Sequence, residues 1–154
     1  MTARYVIDSS VFIVFERNQP RDIYATLWDR FATLLSSGNA VVPHEALVEL
    51  ERGTDDLGDW VKATGAVYDT DTAVIDVVRQ ISKQHPGWVK ETKNAADPFI
   101  IATAKVLGAV VVTNERSRNP ATADVNMKIP QVAAEFDVAV ISTNDLSRRL
   151  GWHF

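Results

Sequence analysis

Cysteine is absent from these 154 residues, which excludes disulfides, thiolate nucleophiles and thiolate metal sites. Histidine is scarce. His44, His85 and His153 are scattered without metal-ligand spacing, so histidine-based metal chemistry is not expected. No apolar run approaches the roughly 20 residues needed to cross a membrane. Asp8 interrupts the first apolar run where a signal peptide would continue, so no leader and a cytoplasmic location are expected. An excess of basic charge is missing too. Sixteen Lys and Arg stand against 20 Asp and Glu, a net −4, which argues against holding nucleic acid by backbone neutralisation alone. Acids that gather metal ions are compatible with that balance, because the ions then carry the positive charge to a phosphate. Repeats, low-complexity tracts and linkers are also missing.

What is present is ordinary for a globular chain: 46% hydrophobic and 23% charged residues. The length suits one domain, residues 1–154, with a sizeable core. Short Val- and Ile-rich runs end at Ile7, Val42, Val112 and Ile141, and helical patterns separate them. The helices are expected over Val11–Phe15, Ile23–Leu35, His44–Arg52, Asp56–Thr64, Asp71–Lys83, a span opening at Asp97 and stopping at Gly108, Ile129–Phe136, and a last one ending near Gly151. Alternating strands and helices predict an α/β protein, a three-layer α/β/α sandwich around a parallel sheet of four to five strands.

Four acids sit where such a sheet presents its carboxyl edge, the ligand-binding edge of open α/β sheets. Asp8 ends the first strand and Glu115 lies just past Val112. Asp97 opens the intervening helix, where it reads as an N-cap with Pro98 in the first helical position. Glu49 lies on the helix after the second strand and shares a face with Glu45, a like-charge pair that costs an isolated helix a few tenths of a kcal/mol. Arg52 or a metal ion would relieve it. Carboxylates about 4 Å apart repel by roughly 4 kcal/mol per pair at a surface-like dielectric. A divalent cation between them offsets this, and oxygen-only ligation points to Mg²⁺ or Mn²⁺. Phosphodiester hydrolysis is the natural chemistry of such a site. With water as nucleophile, the products carry 5′-phosphate and 3′-hydroxyl ends. Each acid taken alone also has a structural reading as a cap or a solvated surface charge.

Four blocks in order resemble the PIN-domain family of metal-dependent ribonucleases, which includes the VapC toxins of toxin–antitoxin pairs. They are Tyr5-Val-Ile-Asp-Ser-Ser-Val-Phe-Ile13, Val42-Pro43 with Glu49-Leu50, Ala96-Asp-Pro-Phe-Ile-Ile-Ala-Thr-Ala104, and Val110-Val-Val-Thr-Asn-Glu115. The resemblance runs from Tyr5 to about Leu150. It implies that Asp8, Glu49, Asp97 and Glu115 are catalytic metal ligands for one or two Mg²⁺ or Mn²⁺ ions, with Ser10 and Thr113 as supporting hydroxyls. It also implies an RNA substrate, a homodimer and, for a toxin, an antitoxin partner. The sequence departs from the family at Glu115, where Asp is usual, and in the polar stretch Arg116–Lys128, which exceeds the compact VapC pattern. These departures resemble a less characterised PIN branch. Lys90, Lys93, Arg116, Arg118 and Lys128 flank the expected pocket and are candidate phosphate contacts. The alternative to a nuclease is a catalytically weak PIN module that binds RNA or a protein partner. A phosphoacceptor receiver domain is disfavoured, since Ser9-Ser10 replaces an acidic pair and Ser142-Thr143 replaces the Lys after the last strand. Trp28, Trp60, Trp88 and Trp152 are assigned mostly to packing.

Overall fold

The computed structural model describes residues 3–53, 55–116 and 123–154. Five strands form one wholly parallel sheet: β1 (Tyr5–Ile7), β2 (Ala40–Pro43), β3 (Val67–Tyr68), β4 (Val110–Val112) and β5 (Val140–Ile141), in the order β3-β2-β1-β4-β5. Among the described residues eight α-helices flank it: α1 (Ser9–Asn18), α2 (Ala25–Ser36), α3 (His44–Glu51), α4 (Leu57–Ala63), α5 (Thr72–Gln84), α6 (Asp97–Leu107), α7 (Ile129–Glu135) and α8 (Thr143–Leu150). The three-layer expectation holds.

Strand β1 is central, and all three of its residues are buried. It pairs with β2 on one side and β4 on the other, and strand order reverses there. Pairing of Ile7 with Val112 sets Asp8 beside Thr113, and the Asp8 amide extends the ladder by donating to Val112 O at 2.9 Å. The switch point of the sheet therefore carries the first acid.

Helix α6 packs on β1, β2, β4 and α5. Its apolar face, including Ile100, Ile101, Ala102 and Ala104, is buried nearly completely. It ends at Gly108, whose φ of 65° is the left-handed conformation that glycine adopts without strain. Aromatic residues of α1, α2 and α4 fill another part of the core: Phe12 stacks on Phe31 at 5.0 Å, and Trp28 meets Trp60 edge-on at 4.9 Å. Trp88 is fully buried and donates to Met127 O at 3.0 Å. Packing accounts for these indoles, as expected.

Two expectations are corrected. Helix α2 begins at Ala25, not Ile23, because the amides of Ile23 and Tyr24 donate to Pro20 O in a turn, leaving Ile23 70% exposed. Strand β3 was not expected between α4 and α5. Two residues are too few to show a period, and their pairing to Val42 and Pro43 makes them a strand.

Candidate metal centre

Asp8 leaves β1 with its carboxylate buried and held by hydroxyls. Ser10 Oγ donates to Oδ2 at 2.6 Å and Thr113 Oγ1 donates to the same oxygen at 2.7 Å. Ser9 Oγ lies 3.4 Å from Oδ1 and 3.3 Å from Glu49 Oε1, bridging two acids. Helix α3 buries Ala46, Leu47 and Leu50 against the core, and Glu49 follows from that face into the site. Glu45 goes elsewhere. Its two oxygens accept from Thr70 Oγ1 at 2.7 and 2.8 Å, which removes the expected like-charge pair from the site.

The expected role of Asp97 as a cap is wrong. Ala96 is the N-cap in helical conformation, Asp97 is already inside α6, and its side chain makes no capping bond. Only 6% of Asp97 is exposed, and among the described residues no donor reaches its carboxylate. A lone buried carboxylate is costly when ionised. Burial, with the charges of Glu115, Asp8 and Glu49 adding to it, pushes the Asp97 carboxyl up to about 8. Burial also raises Asp8 against the pull of the Ser10 and Thr113 hydroxyls. Burial and then the Asp8 charge raise Glu49.

Asp8, Glu49 and Asp97 each offer an oxygen within 4.8 Å of the other two. Among the described residues no Lys or Arg forms an ion pair with any of them. Arg52 lowers Glu49 and Lys128 lowers Asp97 only through space. Three clustered carboxylates without a directly paired Lys or Arg thus form an oxygen-only donor set, which fits a hard divalent ion.

Glu115 stands beside this group rather than in it. Its Oε2 accepts from the Ile129 amide at 2.9 Å, holding the start of α7. Burial raises its carboxyl while that amide lowers it, and its charge still reaches Asp97. Lys128, next to that amide, acts on Asp97 and Glu115 in the opposite sense. Lys90, Lys93 and Arg116 are exposed, the two lysines on a turn closed by their own backbone bridge. Arg118 lies outside the described residues. Sequence reasoning missed Ser9 and Asn114. The Asn114 amide donates to Ser10 Oγ and its Nδ2 donates to Ser10 O, both at 3.2 Å. The Ser-Ser pair after Asp8 was the visible signal for Ser9, while nothing local marked Asn114.

The profile of a family described as a domain of unknown function, DUF4411, matches residues 5–154. The chain belongs to the DUF4411 family. No curated protein matches this DUF4411 chain. Its fold is similar to three solved structures. VapBC from Salmonella typhimurium, bound to DNA, is 19% identical with a TM-score of 0.55, covering 91% of this chain and 98% of that one. FitAcB from Neisseria gonorrhoeae is 21% identical with a TM-score of 0.52, covering 89% and 96%. PAE2754 from Pyrobaculum aerophilum is 17% identical with a TM-score of 0.52, covering 98% of both chains. The DUF4411 chain has the PIN-like fold its sequence blocks resemble. Among its described residues no helix is long and apolar enough to cross a membrane.

Proposed function

We propose that this chain is a divalent-metal-dependent ribonuclease that hydrolyses RNA phosphodiester bonds and acts as the toxin of a toxin–antitoxin pair. One observation carries the reading: Asp8, Glu49 and Asp97 gather at the sheet's switch point, and Asp97 is buried there without a donor. Mg²⁺ or Mn²⁺, as one or two ions, suits these oxygens. Held there, such an ion would supply polarisation of a phosphoryl oxygen and activation of water for in-line attack.

The chain's own residues set the geometry. Ser10 and Thr113 occupy Oδ2 of Asp8, fixing the carboxylate so that Oδ1 faces its neighbours. Asp97 and Glu49, held ready by helices α6 and α3, complete the donor set. Glu115 would add a fourth ligand through its other oxygen, Oε1, while Oε2 keeps α7 in place. Lys128, and then Lys93, Arg116 and Arg118, meet phosphates of the bound strand. An antitoxin and a second copy of the chain are the proposed protein partners, on the strength of the PIN resemblance.

The engagement of Glu115 with the α7 amide favours a second reading, a catalytically weak PIN module that binds RNA or a protein. Incubating the protein with structured and single-stranded RNA in Mn²⁺ or Mg²⁺ separates the two. The nuclease reading expects cleavage that Asp8→Asn abolishes, with 5′-phosphate and 3′-hydroxyl ends by end-labelling. Cyclic phosphate ends would overturn water attack, and RNA binding with no cleavage selects the weak module.

A further inference from the structure

Beside the acidic centre a cleft of about 300 Å³ opens at the ends of β4 and β5. Thr113 and Glu115 form the wall it shares with the acids, so its contents lie next to the reacting group. Ile141 and Pro130 line its apolar part, and Ile141 is buried. Arg116 and Asn144 are exposed at its mouth, with Thr143 half-buried between. Thr143 Oγ1 donates to Asn114 Oδ1 at 3.2 Å, and Asn114 in turn holds Ser10, which holds Asp8. The cleft wall and the metal centre are thus one hydrogen-bonded unit. Among the described residues the Asn144 side chain has no hydrogen bond within the chain, which leaves its donor and acceptor free.

The cleft's size, polarity and position together select its occupant. The volume is at the lower end of small-molecule sites, room for a single nucleotide and too little for a duplex. An apolar base, a free amide and a guanidinium at the mouth match a base face, a base edge and a phosphate. Among the described residues that line it none is aromatic. Base-edge hydrogen bonding, which discriminates among bases, therefore replaces aromatic stacking, which does not. We propose that this cleft is a base-selective subsite for one unpaired nucleotide of single-stranded RNA flanking the bond to be cut, with Asn144 reading the base edge and Arg116 meeting the adjoining phosphate. The inference rests on the nuclease reading above and adds the substrate's strandedness and the source of its sequence preference.

The test measures binding of labelled single-stranded hexaribonucleotides, each position varied through the four bases, by fluorescence anisotropy in EDTA so that nothing is cut. Wild type, Asn144→Ala and Asn144→Trp are compared. Asn144→Trp, which fills the cleft, should weaken binding about tenfold or more, a loss of roughly 1.4 kcal/mol. Asn144→Ala should flatten the preference at one position. Mn²⁺ affinity at the acids, read by electron paramagnetic resonance, should stay at the wild-type value in both. Binding and base preference unchanged in both variants would overturn the subsite, as would wild-type protein that binds none of the oligonucleotides. If Asn144→Trp fails to fold, the Asn144→Ala preference decides alone. If wild type binds with the predicted Asn144 dependence yet cuts no RNA in Mn²⁺, the nucleotide site stands and the nuclease reading falls.

Discussion

Asp97 shows how burial turns an ordinary side chain into a site. Its carboxyl is raised to about 8 by loss of water and by three neighbouring acids, so the folded state holds a proton that the unfolded chain releases near pH 4. Between those values the folded protein binds more protons than the unfolded one, and its stability falls as pH rises. Metal-free protein should therefore melt at a lower temperature at pH 8 than at pH 5. Asp97→Asn should remove most of that slope, and at pH 8 the metal-free variant should melt roughly 5 °C or more above wild type. The same variant should lose Mn²⁺ binding by calorimetry and RNA cleavage with it. A variant that still binds Mn²⁺ as wild type does would remove Asp97 from the centre. The sequence made Asp97 visible through the Ala-Asp-Pro block but suggested the wrong local role. Whether a carboxylate at a helix start accepts a backbone amide depends on one residue of register, and here Ala96 took the cap position.

At the scale of elements, residues 123–128 are tied down more tightly than their aperiodic sequence suggests. A 3₁₀ turn over Asp124–Asn126 is bound to the loop after α5. Asp124 meets His85 Nδ1 at 2.9 Å and the Gly87 amide at 3.3 Å, and Asn94 Nδ2 donates to Val125 O at 3.0 Å. His85 Nε2 also meets Glu135 at the end of α7, so one ring joins α5, the turn and α7. Burial works against the charged ring, but the Asp124 and Glu135 carboxylates outweigh it and raise the His85 pKa above its usual 6.5. The stabilisation is thus fully present below about pH 6.5 and is lost as pH rises through the raised folded value. His85→Asn should cost about 1–3 kcal/mol at pH 6, measured by urea titration, and distinctly less at pH 9. An equal cost at both values would mean that His85 contributes packing only. No local pattern foretold this clamp, because its three members are 39 and 50 residues apart. The strands and helices that build the switch point were legible, since their periods are local. Strand β3 was not, since only its partner defines it.

For the molecule as a whole, the charge of −4 limits how the proposed RNA substrate would be held. Four phosphate contacts are proposed, Lys93, Arg116, Arg118 and Lys128, so log affinity against log salt should have a slope no steeper than about −3 for a single strand. A steeper slope would require a basic surface beyond these four. In a cell, expression of the chain alone should stop growth, and Asp8→Asn should restore it. Arrest that persists in Asp8→Asn would separate toxicity from the acidic centre. The fold class was legible at this scale from alternation alone. Convergence of the acids was legible only through the ordered blocks, because the sheet order that unites them is not written in any one segment.

The Thr113–Asp8 hydrogen bond spans 105 residues, and β1 obtains its second partner only when β4 exists. At a translation rate of about 5–20 residues per second, this leaves a delay of roughly 5–20 s between synthesis of the first acid and of the hydroxyl that fixes it. Nascent chains on the ribosome hold Asp8 and Glu49 early, but neither Asp97 nor the central pairing that brings the acids together. A product that ends before β4 lacks Thr113 and exposes an unpaired edge of β1. The parallel topology thus acts as a timer, withholding the assembled centre until β4 and Thr113 have been made.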